Sequence, residues 1–180
     1  MKLPFLSKAE EDDPYWDFFL NSPLSDDRNS VATALRNAPE GVVNPVTDDI
    51  HTPEVMSRHV KELASFLGAD LVGVAKTDRP DYPFAVMCLT RAEHDPKQSP
   101  GIGGQLPAQR GLFATFIVSA WIRELGYQGT TKVEVNNDEL AAKAGLGTLN
   151  TDGRLVTPRY GARVHVSGAI LTDLPLQADA

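Results

Sequence analysis

Twice along this chain, an amphipathic helical pattern ends at a glycine and is followed directly by a short apolar strand pattern. The first helix is predicted to begin at Thr52 and Pro53, because a hydroxyl caps a helix well and proline suits the first helical position. Its apolar stripe recurs at helical spacing and consists of Met56, Val60, Leu63 and Leu67. Gly68 ends the helix, and a strand is predicted over 70–76. The repeated unit indicates a layered fold in which helices pack on a sheet.

The second unit is predicted as a long helix over 107–125 that begins at Pro107, ends at Gly126 and precedes a strand over 130–135. Its inward side chains are expected to be Phe113, Phe116, Ile117, Ala120 and Trp121. A third helix over 138–144 has Asn136 and Glu139 in the form of a capping box. Further strands are predicted over 84–90, 154–157 and 162–172, with a polar loop over 91–105. The fold class is therefore α/β or α+β, with about five strands and three helices.

Composition excludes several classes of function. The chain has 17 basic and 24 acidic side chains, a net charge of −7, which argues against a general nucleic-acid binder. No apolar run reaches the roughly 18 to 20 residues of a membrane span, and no signal-peptide pattern is found, so we expect a cytoplasmic protein without membrane contact. The single cysteine, Cys88, excludes an internal disulfide and a cluster held by several cysteines of this chain. Its apolar neighbours predict a core position.

The first 50 residues differ from the rest in their poor periodicity and in five prolines. We interpret residues 1–50 as an N-terminal extended arm, 51–176 as the folded domain and 177–180 as a tail. The arm contains a cluster of large apolar residues that comprises Tyr15, Trp16, Phe18, Phe19 and Leu20. A disordered segment has little use for such residues, so we expect this cluster to pack on a surface, either of its own domain or of a second subunit.

Candidate chemistry is concentrated in residues 136–176. Gly145 and Gly147 provide bare backbone that a large planar ligand can approach closely, although a helix end and a tight turn explain the same glycines. A rigid turn follows over 158–161, with guanidinium groups at Arg159 and Arg163. Elsewhere, Glu93, His94 and Asp95 form a candidate acid/base cluster. His165 lies in a predicted strand and faces either the core or a pocket.

Three runs of sequence carry a resemblance to a known family. The runs 144–147 (Ala-Gly-Leu-Gly), 155–164 (Leu-Val-Thr-Pro-Arg-Tyr-Gly-Ala-Arg-Val) and 171–176 (Leu-Thr-Asp-Leu-Pro-Leu) resemble the cobalamin-binding catalytic domain of reductive dehalogenases and of the related epoxyqueuosine reductases. Runs at 57–61, 67–74 and 121–127 are similar to earlier elements of the same domain, so the resemblance covers roughly residues 50 to 176.

This resemblance implies a nitroreductase-like fold, with a mixed sheet of about five strands flanked by helices, that holds cobalamin with its lower base detached. It also implies a set of cofactor-contacting residues. These are Gly145, Leu146, Gly147, Thr157, Pro158, Tyr160, Gly161 and Arg163.

The chain departs from the family in two ways. The family continues into a cysteine-rich module that carries iron-sulfur clusters, whereas this sequence has one cysteine. The resemblance therefore implies a short form that receives electrons from an external reductase or redox partner. Dehalogenases also place a tyrosine proton donor near the start of the long helix, and the stretch 109–113 has no tyrosine, so no catalytic residue is assigned.

Several functions stay open at this point. A corrinoid-binding chain of this kind would serve reductive chemistry or the processing and trafficking of the cofactor. One alternative is an interaction or scaffolding domain that kept the fold without the cofactor, with a homodimer joined through the arm. Another is a flavin-dependent reductase on the same fold, which is disfavoured because the sequence shows no basic cluster suited to a phosphate.

Overall fold

The computed structural model describes residues 30–92 and 102–180, with only the helical backbone described for 102–104. The predicted acid/base cluster of Glu93, His94 and Asp95 and the aromatic cluster over 15–20 lie outside the described residues. The helices are α1 (Val31–Asn37), α2 (Pro53–Phe66), α3 (Ile102–Glu124) and α4 (Asn137–Lys143). The strands are β1 (Leu71–Lys76), β2 (Phe84–Arg91), β3 (Gly129–Thr130), β4 (Thr148–Leu149), β5 (Leu155–Val156) and β6 (Val164–Thr172).

Four strands form one sheet in the order β1-β2-β6-β3, and β4 pairs with β5 in a separate hairpin. This arrangement of helices and sheet confirms the predicted fold class. In detail, the main sheet has four strands rather than five, because β5 pairs only with β4, and its described pairings are all antiparallel. The register between β2 and β6 shifts opposite Cys88, where β6 carries an extra residue. This bulge directs Ser167 of β6 towards α3.

Apolar side chains cover both faces of the sheet. On one face, α2 and α3 pack against the strands through residues such as Val60, Val118 and Ile170. On the other face, α4 and the β4–β5 hairpin pack through Leu140 and Leu155. Cys88 is fully buried in the first of these two cores, as predicted. Its burial raises the pKa of the thiol to about 12, so the group stays protonated and unreactive at neutral pH.

Two helix starts confirm the predictions made from capping residues. The Thr52 hydroxyl accepts from the Val55 N–H, with Pro53 at the first helical position. Asn136 Oδ1 accepts from the Glu139 N–H at 3.3 Å, and Asn136 Nδ2 donates to Glu139 Oε1 at 2.8 Å. These side chains satisfy N–H groups that the first turn of a helix leaves unpaired.

The long helix α3 differs from its prediction at both its start and its buried face. It begins at Ile102, so the expectation of a loop over 102–105 is wrong, and Pro107 lies inside the helix. Proline has no N–H group, so one helical hydrogen bond is absent at this position. The Pro107 carbonyl accepts a hydrogen bond from Thr90 Oγ1 at 2.6 Å. Phe113 is 45 % exposed rather than inward. Trp121 packs against the core, as predicted, whereas the fully buried apolar side chains of the helix are those of Ala114, Val118 and Ile122.

The predicted strand over 130–135 ends at Thr130, and the rest of that prediction is wrong. The Glu40 carboxylate accepts from Thr130 Oγ1 at 2.8 Å and from the Thr131 N–H at 2.7 Å. The Lys132 N–H then donates to Thr130 Oγ1 at 3.1 Å. These bonds turn the chain away from the sheet, and they attach the described part of the predicted arm to the domain.

The C-terminal residues lie along the edge strand β1. The Gln177 N–H donates to Ser57 Oγ at 2.7 Å. The Val74 N–H donates to Asp179 Oδ2 at 2.8 Å, and Lys61 forms an ion pair with the same carboxylate. Residues 177–180 thus cover part of an otherwise unpaired strand edge. Across residues 30–92 and 102–180, none of the helices has both the length and the apolarity needed to cross a membrane.

Candidate functional site

The predicted contact residues come together at one corner of the domain, formed by the end of α4, the β4–β5 hairpin and the turn before β6. A Cβ atom placed on Gly147 would lie 2.3 Å from the Val156 carbonyl oxygen and 3.1 Å from Thr157 Cα. The glycine segment and the turn over 157–161 are therefore in direct contact. Only glycine fits at position 147, because a Cβ atom there would clash with backbone atoms that cannot move aside.

The preceding residues form the end of α4. Gly145 has φ +71°, and its N–H donates to the Ala142 carbonyl at 3.0 Å. The Leu146 N–H donates to the Ala141 carbonyl at 3.1 Å, and its side chain packs among the apolar residues on this face of the sheet. Both glycines thus have a role within the chain. Gly145 ends helix α4, and Gly147 allows the backbone of Val156 and Thr157 to approach closely.

The turn over 157–161 is held by its own backbone and by Thr157. The Thr157 N–H donates to the Gly161 carbonyl at 2.9 Å, and the Gly161 N–H donates back to the Thr157 carbonyl at 2.8 Å. Thr157 Oγ1, which is buried, accepts from the Tyr160 N–H at 3.1 Å. Gly161 has φ +58°, and a Cβ atom there would meet nothing within 4 Å. The turn therefore presents Gly161 as an open position on a rigid support.

Arginines surround Tyr160. The guanidinium carbon of Arg159 lies 5.2 Å from the centre of the Tyr160 ring, and that of Arg91 lies 5.9 Å from it. The Arg163 N–H donates to the Tyr160 carbonyl at 3.1 Å, which fixes the start of β6 against the turn. Among the described residues, no carboxylate lies within 4 Å of the guanidinium groups of Arg159 and Arg163. We call Arg91, Arg159, Tyr160 and Arg163 the basic edge.

The basic edge was only partly predictable. Arg159 and Arg163 stand out beside the turn motif, whereas Arg91 is the last residue of β2 and has no motif around it. Its contact with Tyr160 depends on the pairing of β2 with β6. At this corner, the guanidinium groups of Arg91 and Arg159 therefore lie over one ring.

His165 lies two residues beyond the basic edge, opposite Thr90 of β2. Burial, and to a smaller extent the Arg36 guanidinium, hold the pKa of His165 below its ordinary range. Its Nε2 atom and the Ser167 hydroxyl are buried without a hydrogen-bond partner among the described residues. Ser167 packs against Gly111 of α3, so this pair lies in the interface between sheet and helix.

Two concave regions lie elsewhere on the described surface. A cavity of about 230 Å³ near the start of α4 is lined by Asp78, Arg79, Glu139 and Lys143 among others. A groove of about 610 Å³ runs beside the C-terminal residues. None of the eight predicted contact residues lines either one. Within the described parts of the chain, no group of three or more His, Cys, Asp or Glu side chains is placed to hold a metal ion.

No family model and no curated protein matches the sequence. Solved structures do match. A structure titled as a reductive dehalogenase that suggests a mechanism for B12-dependent dehalogenation superposes with a TM-score of 0.67 at 24 % identity, over 89 % of this chain. The chain has a reductive dehalogenase-like fold.

Two further matches agree with this fold. The catabolic reductive dehalogenase NpRdhA superposes with a TM-score of 0.63 at 25 % identity. Its complex with 3-bromo-4-hydroxybenzoic acid gives a TM-score of 0.66 at 25 % identity. Each match covers 89 % of this chain but 26 % of the dehalogenase, so the chain spans about a quarter of the length of these proteins.

Proposed function

We propose that this chain binds a corrinoid of the cobalamin type at the basic edge and the adjoining turn. The observation that carries the proposal is the match of 89 % of the chain to a B12-dependent reductive dehalogenase at a TM-score of 0.67. The meeting of the glycine segment with the turn over 157–161 supports it. Cobalamin is thus the cofactor that the fold and the local residues favour together.

The exposed groups of this corner suit the chemistry of a corrinoid. The rim of the macrocycle carries amide groups, and its nucleotide loop carries a phosphate. Arg159 and Arg163 are exposed and can donate to amide or phosphate oxygens. Tyr160 and Pro158 offer apolar surface to a flat ring, and Gly161 leaves space beside them.

The internal hydrogen bonds of the turn divide the predicted contact set into two groups. The N–H groups of Thr157, Tyr160, Gly161 and Arg163 are already bonded within the protein, so they are not donors to a ligand. We therefore assign direct contacts to Pro158, Tyr160, Gly161 and Arg163. The supporting role falls to Gly145, Leu146, Gly147 and Thr157, which hold the turn in place.

When bound, the corrinoid supplies a reducible cobalt centre, and this chain supplies its seat. We propose that electrons reach the cobalt from a donor outside the described residues, because their one cysteine, Cys88, is buried in the core. A seat that leaves the lower base detached serves either reductive chemistry or the handling of the cofactor between other proteins. The absorption spectrum of the bound corrinoid reports whether the base is detached.

The first test is a titration of the purified chain with hydroxocobalamin, followed by absorption spectroscopy and size-exclusion chromatography. We expect retention of the corrinoid and a spectral shift towards the base-off form. Arg163→Ala is expected to weaken binding about tenfold, the worth of one charge-assisted hydrogen bond. The matched control is Arg58→Ala, which removes an exposed arginine of α2. Retention of FMN instead of cobalamin would favour the flavin alternative and contradict the proposal.

The second test uses two glycines in the same backbone state. Gly161 and Gly153 have φ +58° and +74°, and a Cβ atom at either would meet no atom within 4 Å. Alanine at either position adds a similar backbone strain of about 1–2 kcal/mol without a clash inside the protein. We expect Gly161→Ala to weaken cobalamin binding and Gly153→Ala to leave it unchanged. Equal effects would show that a ligand does not occupy the space beside Gly161.

A further inference from the structure

Helix α3 carries apolar side chains on all its sides. Its 23 residues include three charged ones, Arg110, Arg123 and Glu124. The side that faces the sheet is filled by small and branched residues. On the opposite side, Leu106 and Phe113 are each 45 % exposed. A helix that is apolar all round is normally covered on every side, so a partner for this outer side is expected.

The neighbouring helices flank this side of α3 without covering it. Arg110 Nη2 donates to the Gly68 carbonyl at 2.9 Å, which places the end of α2 beside this part of α3. Phe66, in the last turn of α2, is itself 85 % exposed. α1 packs along α3 as well. We call Leu106 and Phe113, with Arg110 between them, the outer face of α3.

We propose that the aromatic segment over 15–20 of the same chain packs on the outer face of α3. This segment, Tyr-Trp-Asp-Phe-Phe-Leu, has five large apolar residues in six positions, the complement that the outer face requires. Its Asp17 and the acidic run over 10–13 are opposite in charge to Arg110, which lies 3.8 Å from the Asp70 carboxylate and keeps 44 % of its side chain exposed. The aromatic segment thus matches the outer face in both apolar character and charge.

The length of the connection also favours the same chain as the occupant. The described part of the chain begins at Ser30, and the residues from 20 to 30 can span about 33–36 Å when extended. This reach is about the full length of a 23-residue helix, roughly 34 Å. A segment tethered so closely has an effective concentration in the millimolar range, which a second copy in dilute solution does not reach.

The test is a cross-linking experiment on the full chain with a short bis-maleimide. Asn21→Cys is combined with Gln109→Cys, which lies between Leu106 and Phe113 on α3 and leaves both in place. The control combines Asn21→Cys with Thr47→Cys, an exposed position next to Gly126 beyond the other end of α3. Cys88 does not interfere, because it is fully buried.

We expect an intramolecular product, visible as a monomer of altered mobility, from the Gln109 pair and its loss when Phe113→Lys is added. Cross-linked dimers would overturn the proposal in favour of a second copy. A yield no higher than that of the Thr47 control would overturn it as well. A second measurement uses Trp16 as the only tryptophan in a Trp121→Phe background. Its emission should shift to longer wavelength with Phe113→Lys and not with Val42→Lys, and equal emission in both would contradict the proposal.

Discussion

The contact between α3 and the bulge in β6 makes a quantitative prediction at Gly111. A Cβ atom at this position would lie 1.6 Å from Ser167 Oγ and 2.6 Å from Ser167 Cβ. The hydroxyl can rotate away, but the Ser167 Cβ atom cannot move without the strand. Overpacking costs about 1–3 kcal/mol, and an approach of 2.6 Å to a strand Cβ atom belongs to the upper part of that range, about 2–3 kcal/mol. Alanine regains about 1 kcal/mol of helix propensity over glycine.

Gly111→Ala should therefore lower the free energy of unfolding by about 1–2 kcal/mol, which for a chain of this size is a fall in Tm of about 2–8 °C. Chemical denaturation and calorimetry would measure both quantities. Ser167→Ala added to Gly111→Ala should restore little, because the Cβ contact persists. Ser167→Gly added to Gly111→Ala should restore most of the loss, with a coupling energy of about 1–3 kcal/mol. A Gly111→Ala variant as stable as the unmodified protein would refute this account of how α3 packs on the sheet.

Three other side chains, those of His165, Asn136 and Asp179, have predicted effects on stability or hydrogen exchange. Because the folded state holds the pKa of His165 below its unfolded value of 6.5, the unfolded state takes up a proton first as pH falls, so stability is full above that pH and declines below it. Denaturation at pH 7.5 and 5.5 should show this decline, and His165→Gln should reduce it. Asn136→Ala removes the N-cap of α4 and should cost about 1 kcal/mol in the free energy of unfolding, measured by urea denaturation. Asp179→Ala removes the acceptor of the Val74 N–H and should speed hydrogen exchange at that amide.

An unchanged pH dependence of the free energy of unfolding in His165→Gln would contradict the role given to His165. Asn136→Asp, which keeps a capping oxygen, should retain stability, and a loss equal to that of Asn136→Ala would contradict the capping role. Unchanged exchange at Val74 would show that the tail does not protect the edge of β1.

Local signals predicted the helix starts well. The Thr52-Pro53 pair and Asn136 place the first turns of α2 and α4 correctly, because a cap acts on backbone groups only two or three residues away. The glycines at 68 and 145 were assigned to helix ends for the same reason, and both adopt positive φ. Interactions between residues only a few positions apart can therefore be predicted from the sequence.

Features set by distant neighbours could not be predicted. The buried side of α3 was predicted as Phe113 and its helical neighbours, because a helix with apolar residues all round gives no periodic signal. Small residues face the sheet instead, since Ser167 approaches α3 at Gly111. The strand after Gly129 ends early because Glu40, 90 positions from Thr130, takes its hydrogen bonds. Arg91 joins Tyr160 only through the pairing of β2 with β6.

The most direct test of corrinoid binding is the absorption spectrum of the full chain purified from cells supplied with cobalamin. The proposed seat at Tyr160, Gly161 and Arg163 predicts a coloured protein that carries corrinoid in stoichiometric amount, with the base-off spectrum. It also predicts that Gly161→Ala lowers this occupancy while Gly153→Ala does not. A colourless protein that also leaves the spectrum of added hydroxocobalamin unchanged would contradict the proposed function.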